Sequence, residues 1–154
     1  MKLIKYYTLL LLIFFSCKPI EPVEFIEIKD VKINNLADNE IKISADLILN
    51  NPNKVKITIS QIDIGIFAED ILLVKIDENN KLELSNSSNT TINIKGDIDI
   101  KNLEKFLNQR GIAILLRNEN ISLKFKGAIE VKAYGIKDVI DINYEINNFG
   151  DIIR

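Results

Sequence analysis

From residue 23 onward, apolar and polar residues take turns along the chain, and this period of two limits the fold more than any other feature. Ile41, Ile43, Ala45, Leu47 and Leu49 alternate with Lys42, Ser44, Asp46, Ile48 and Asn50. Val55, Ile57 and Ile59 form a second series, and Ile62, Ile64 and Ile66 resume it after Gln61. Ile92 to Ile100, Ile121 to Val131 and Ile140 to Ile146 repeat the pattern. Side chains two apart share one face of a strand, so each run describes a strand with one buried and one wet face. Thirty isoleucines reinforce the reading, because β-branched side chains suit a pleated, half-buried surface. The fold class is all-β.

Turn chemistry separates the runs. Asn50-Asn51-Pro52-Asn53, Glu78-Asn79-Asn80, Ser85 to Asn89 and Tyr134-Gly135 are polar or glycine-bearing breaks. About six to eight strands at this spacing predict a β-sandwich or barrel. One segment departs from alternation: Leu103, Phe106 and Leu107 fall at helical spacing. With Asn102 as N-cap and Gly111 as the stop, a short helix is predicted over 102–110, covering one open end or edge of a sandwich. The period does not decide the type of the apolar run Ile112 to Leu116.

Composition excludes much chemistry. There is no histidine and one cysteine, so Ser-His-Asp and Cys-His catalysis, histidine metal sites, an internal disulfide and a CxxC pair are ruled out. A net charge of −2 lacks the basic footprint of a nucleic-acid binder.

The amino-terminal segment carries a different signal. Lys2 and Lys5 precede the apolar run Leu9 to Phe15, and Ser16 then precedes Cys17. This is the tripartite layout of a secretory signal. As a helix the run would rise about 10 Å, against about 30 Å for a bilayer core. Phe14-Phe15-Ser16-Cys17 resembles a bacterial lipobox, with Phe14 where leucine is commonest. The resemblance implies cleavage before Cys17, diacylglycerol on its thiol and an acylated amine. The competing reading is a plain signal with a free or core thiol. Residues 1–16 are thus read as a lipoprotein signal, 17–22 as a tether and 23–154 as the domain. Pro19 and Pro22 keep the tether out of regular structure. Lys18 is not the aspartate that favours inner-membrane retention, so the expected location is the outer membrane of a bacterial envelope, facing the periplasm.

The strand Leu47-Ile48-Leu49-Asn50 running into Asn51-Pro52-Asn53, the polar hairpins, the short helix and the late Gly135 corner occur in an order that resembles the late embryogenesis abundant type 2 family, also called the water-stress and hypersensitive-response domain. The resemblance covers most of residues 23–154. It implies an immunoglobulin/fibronectin-III-like sandwich of about seven strands with one short helix, and a link to desiccation and other stresses. The tripeptide also has a reading of its own. Pro52 cannot donate to a ladder and so ends the strand after Leu49; Asn51 is held extended and Asn53 tolerates left-handed backbone. Structural punctuation is favoured over ligand contact.

Other candidates are weaker. Asp97 and Asp99 share a strand face, and Asp138 and Asp141 sit by the last strand; each pair could in principle bind calcium or act as acid and base. Their alternation with isoleucines instead places Asp97 and Asp99 on a wet face, and no calcium-loop motif accompanies them. Tyr134 and Tyr144 are the aromatic candidates for a glycan or peptide groove, though each suits a corner or core. Three sequon matches, at Asn86, Asn89 and Asn120, are taken as chance. No metal or cofactor is expected. The leading expectation is a non-catalytic, lipid-anchored envelope protein whose partners are the membrane, through lipid on Cys17, and protein clients. An assembly module pairing an exposed strand edge with a partner protein is the alternative, and a carboxylate-pair hydrolase comes last.

Overall fold

A computed structural model describes residues 19–35, 40–79, 81–115 and 121–147. Residues 1–16 and Cys17 lie outside the described residues. The alternating runs form β1 (Glu24–Asn35), β2 (Ile41–Asn51), β3 (Ile57–Ala68), β4 (Ile71–Glu78), β5 (Leu82–Leu84) and β6 (Ser88–Asp97). Helix α1 (Ile100–Leu115) follows, then β7 (Leu123–Ala133) and β8 (Ile136–Ile146). Two antiparallel sheets result, in the orders β1-β2-β6 and β4-β3-β7-β8, with β5 also on β3. They pack as an all-β sandwich.

β4 pairs with the second half of β3 and β5 with its first residues, both antiparallel. The two are therefore segments of one interrupted edge strand. Among the described residues eight strands fill seven positions, and the chain that leaves β4 at Glu78 resumes at Leu82 along the same edge of β3 instead of reversing; Asn80 lies outside the described residues.

The inward faces hold the core. Ile43, Leu47, Leu49 and Ile94 of one sheet meet Ile59, Ile62, Ile64, Ile66 and Phe125 of the other, all essentially inaccessible to water. Burying each such side chain contributes about 2 kcal/mol. The phase slip between Ile59 and Ile62 is a β-bulge: the β3–β7 register shifts between Ile59 and Gln61. One extra residue there returns the following isoleucines to the inner face. A bulge around Asp30, whose φ is 50°, does the same for Ile28 and Val31 in β1. Gly127 lies opposite Ile64, where a Cβ would stand 2.0 Å from the Asp63 carbonyl oxygen. Only glycine lets β7 approach β3 that closely.

The ends of the sandwich are closed differently. At the lower end, the backbone of Ile98 donates to Ile41 (2.8 Å) and that of Asp99 to Leu73 (2.9 Å), joining the segment before α1 to both sheets. Phe106 is buried and Leu103 packs beside the core, so the helix covers this end as expected. Its limits differ from the sequence reading. Asp99, not Asn102, caps it: the Asn102 amide donates to Asp99 Oδ1 (3.1 Å), while Asn102 Nδ2 donates to Leu72 (2.9 Å). Gly111 does not stop it, since a glycine stop requires the left-handed φ that only Gly127 and Gly135 show among the described glycines. Ile112 to Leu115 thus continue the helix. Leu107 and Ile100, expected on buried faces, are exposed, because only one side of the first turns meets the sheets. No helix among the described residues is long and apolar enough to cross a membrane.

Candidate functional site

The upper end carries the features that the sequence singled out. β2 runs through Asn51, which pairs with Ser88, instead of ending after Leu49. The physical reason is the proline itself, which forces the preceding residue into extended backbone and so keeps Asn51 in the ladder. Pro52 and Asn53 then leave the sheet.

Asn51 is fully buried and uses its whole hydrogen-bonding capacity. Its Nδ2 donates to the carbonyls of Val55 (2.8 Å) and Ser85 (3.1 Å). Its Oδ1 accepts from the Asn53 backbone (3.0 Å) and from Asn53 Nδ2 (3.1 Å). One side chain thereby fixes the β2–β3 and β5–β6 connections together. Asn53 in turn reaches the entering chain. Glu21 N–H donates to Asn53 Oδ1 and Asn53 Nδ2 donates to Glu21 O, both at 2.8 Å. The amide presents a donor and an acceptor side by side, as a backbone unit would, and grips Glu21 as a neighbouring strand does. The Asn53 carbonyl also accepts from Ser87 N–H (2.8 Å). The motif therefore acts as a clamp, and the side-chain amides of Asn51 and Asn53 are occupied by the protein. The segment read as a tether is part of the body from Glu21 onward.

The carboxylates separate. Asp97 is exposed and pairs with Lys42 (3.4 Å), whose ammonium its neighbours Glu40 and Asp97 hold above the usual lysine range. Asp99 is a helix cap rather than a strand residue, so the two do not share a strand face. Asp138 accepts from the Val139 amide (2.9 Å), and Asp141 is exposed. Among the described residues, no group of three or more His, Cys, Asp or Glu side chains is arranged to hold a metal. Tyr144 packs edge-on against Phe25, ring centres 5.6 Å apart, and closes the seam between β8 and β1. Tyr134 sits at the tip of the β7–β8 hairpin.

A cluster that the sequence reading missed lies at the β3 bulge. Ser60 Oγ donates to Glu130, which also holds Lys137 (3.0 Å) and Lys132 (3.3 Å). The Ser60 hydroxyl above all, then Lys137, lowers the Glu130 carboxyl to about 2. These bonds tie β3, β7 and β8 together as a cross-strand staple. The slip from Ile59 to Ile62 was the signal for it, since a bulge re-aims the residue it contains.

Pro19, Ile20 and the strand ends enclose two shallow cavities at the upper end. One, of about 350 Å³, lies beneath Ile20, Pro22, Val23, Ile57, Val131 and Ile136. The other, of about 270 Å³, lies between Pro19, Pro52, Lys54 and Tyr134. The first opens between the sheets, where no helix among the described residues covers the core.

No family model and no curated protein matches the chain. Solved structures resemble it in fold. A crystal structure of a protein from Archaeoglobus fulgidus superposes with a TM-score of 0.61 at 14% identity, over 80% of this chain and 95% of that one. The solution structure of AT1g01470 from Arabidopsis thaliana gives 0.66 at 14% identity, over 86% and 87%. At such identity the likeness is one of fold: this chain shares its two-sheet architecture with proteins from an archaeon and a plant.

Proposed function

We propose that the chain is a non-catalytic, lipid-anchored envelope protein, acylated at Cys17, whose late embryogenesis abundant type 2-like domain serves a structural or protective role during water stress. The observation that carries the reading is where the chain enters the fold. Glu21 is gripped by Asn53 only four residues beyond Cys17, so a lipid on that cysteine would hold the body itself, with no long spacer. Three acyl chains, at about 0.8 kcal/mol per buried methylene, make such an anchor nearly permanent. The layout of Lys2, Lys5, the Leu9 to Phe15 run and Cys17 supports it from the sequence side.

Metabolic labelling with a fatty-acid analogue tests the anchor. Label on the wild type that disappears in Cys17→Ala is expected, and label that persists in the variant rejects the assignment. The protective role is tested by drying a labile enzyme with the purified domain at low molar ratio; no preserved activity counts against it. A second reading, an assembly module, is favoured by β8, an edge strand of eleven residues with Val139 exposed. One stoichiometric partner in a pull-down would support that reading instead.

A further inference from the structure

We propose that the upper end of the sandwich, led by Tyr134 and Ile136 of the β7–β8 hairpin, docks into the interfacial layer of a lipid bilayer. The proposal rests on the lipid-anchor reading and adds an orientation to it.

Three observations carry it. The first is an aromatic residue where the backbone does not favour one. Tyr134 and Gly135 have φ of 49° and 81°, the pair of left-handed residues of a tight two-residue hairpin turn. Asn-Gly is the sequence such a turn prefers, and a bulky residue with positive φ is strained. Burial could offset the strain, but Tyr134 is 79% exposed. Little packing within the fold offsets this strain, which leaves a contact outside the fold to do so.

The second is its company. Ile136 is 65% exposed and Ile20 41%, both beside the apolar mouth between the sheets, while the opposite end is covered by α1. A tyrosine with exposed aliphatic neighbours suits the bilayer interface, which wets the phenol and buries the ring.

The third is reach. Pro19 and Tyr134 line the same cavity, and Cys17 lies two residues before Pro19, at most about 7 Å of chain. A lipid there would hold this end of the body, the hairpin tip included, near the headgroups. Glu21 and Asp138 on the rim balance Lys54 and Lys137, so the contact is apolar rather than cationic and should depend little on anionic lipid.

The chain has no tryptophan, which permits single reporters. Tyr134→Trp and Asp70→Trp, the latter in the exposed β3–β4 turn at the lower end, are each prepared as full chain from membranes. They are reconstituted in phosphatidylcholine vesicles with brominated acyl chains. Bromolipid is expected to quench the emission at 134 at least fivefold more than at 70. Equal quenching overturns the proposal, including the case where a protein partner rather than lipid covers this end. Tyr134→Asn is expected to leave the melting temperature unchanged or higher, and a fall would make Tyr134 structural and overturn the strain argument. The mass of the Cys17 peptide separates the two readings. An acylated protein unquenched at 134 ends the docking proposal alone, and an unacylated one quenched at 134 ends the anchor alone. An unacylated protein unquenched at 134 ends both.

Discussion

Replacing Asn51 with alanine should remove a large share of the stability of this domain. The amide makes four hydrogen bonds, two to the backbone and side chain of Asn53 in buried surroundings and two to the partly buried carbonyls of Val55 and Ser85. Stranding a buried polar group costs about 1–3 kcal/mol, and carbonyls that water can reach cost less. The sum is roughly 3 kcal/mol, which for a chain of this size lowers the melting temperature by about 10 °C. Urea titration of residues 18–154, followed by circular dichroism, would measure it. Asn93→Ala is the control: its amide bonds to Asp46 (2.7 Å) on the surface, and its loss should cost under about 0.5 kcal/mol. A loss below about 1 kcal/mol at Asn51 would refute the clamp. A gain in stability would point to a ligand site instead, because residues held ready for ligands commonly cost the free protein stability.

Gly127→Ala should destabilise by about 3 kcal/mol or leave the protein unfolded in the same titration, because the new methyl meets β3 backbone that cannot yield. Gly135→Ala, with open space but φ of 81°, should cost only about 1 kcal/mol. Asp99→Ala removes the cap of α1 and should cost about 1 kcal/mol, with faster amide exchange confined to the first turn. Glu130 is depressed to about 2, so its contribution is present above the ordinary carboxylate value of 4.5 and is lost as pH falls from there toward 2. In Glu130→Gln that part of the acid-induced loss should vanish from stability measured across the window.

Much of the sandwich was legible because strand residues report their face directly: Ile43, Leu47 and Leu49 were placed by alternation alone. The break after Ile59 was seen as an interruption of the alternation, but neither it nor the step from Ile28 to Val31 was read as a bulge. What escaped depends on tertiary contact. Asp99 looks like one more wet-face carboxylate until the chain turns beneath β4 and makes it a cap. Gly111 looks like a helix stop, but a glycine can remain helical at a cost of about 1 kcal/mol. Glu78-Asn79-Asn80 has the chemistry of a turn, yet the strand resumes along the same edge of β3. The grip of Asn53 on Glu21 joins residues 32 positions apart, and nothing local to either announces it.

Amide hydrogen exchange at Glu21 addresses the central claim most directly, namely that the asparagine pair makes the entering chain part of the sandwich. The account expects the Glu21 amide to exchange as slowly as the outer strands in the wild type and to approach the free-chain rate in Asn53→Ala. Free-chain exchange at Glu21 in the wild type would contradict it.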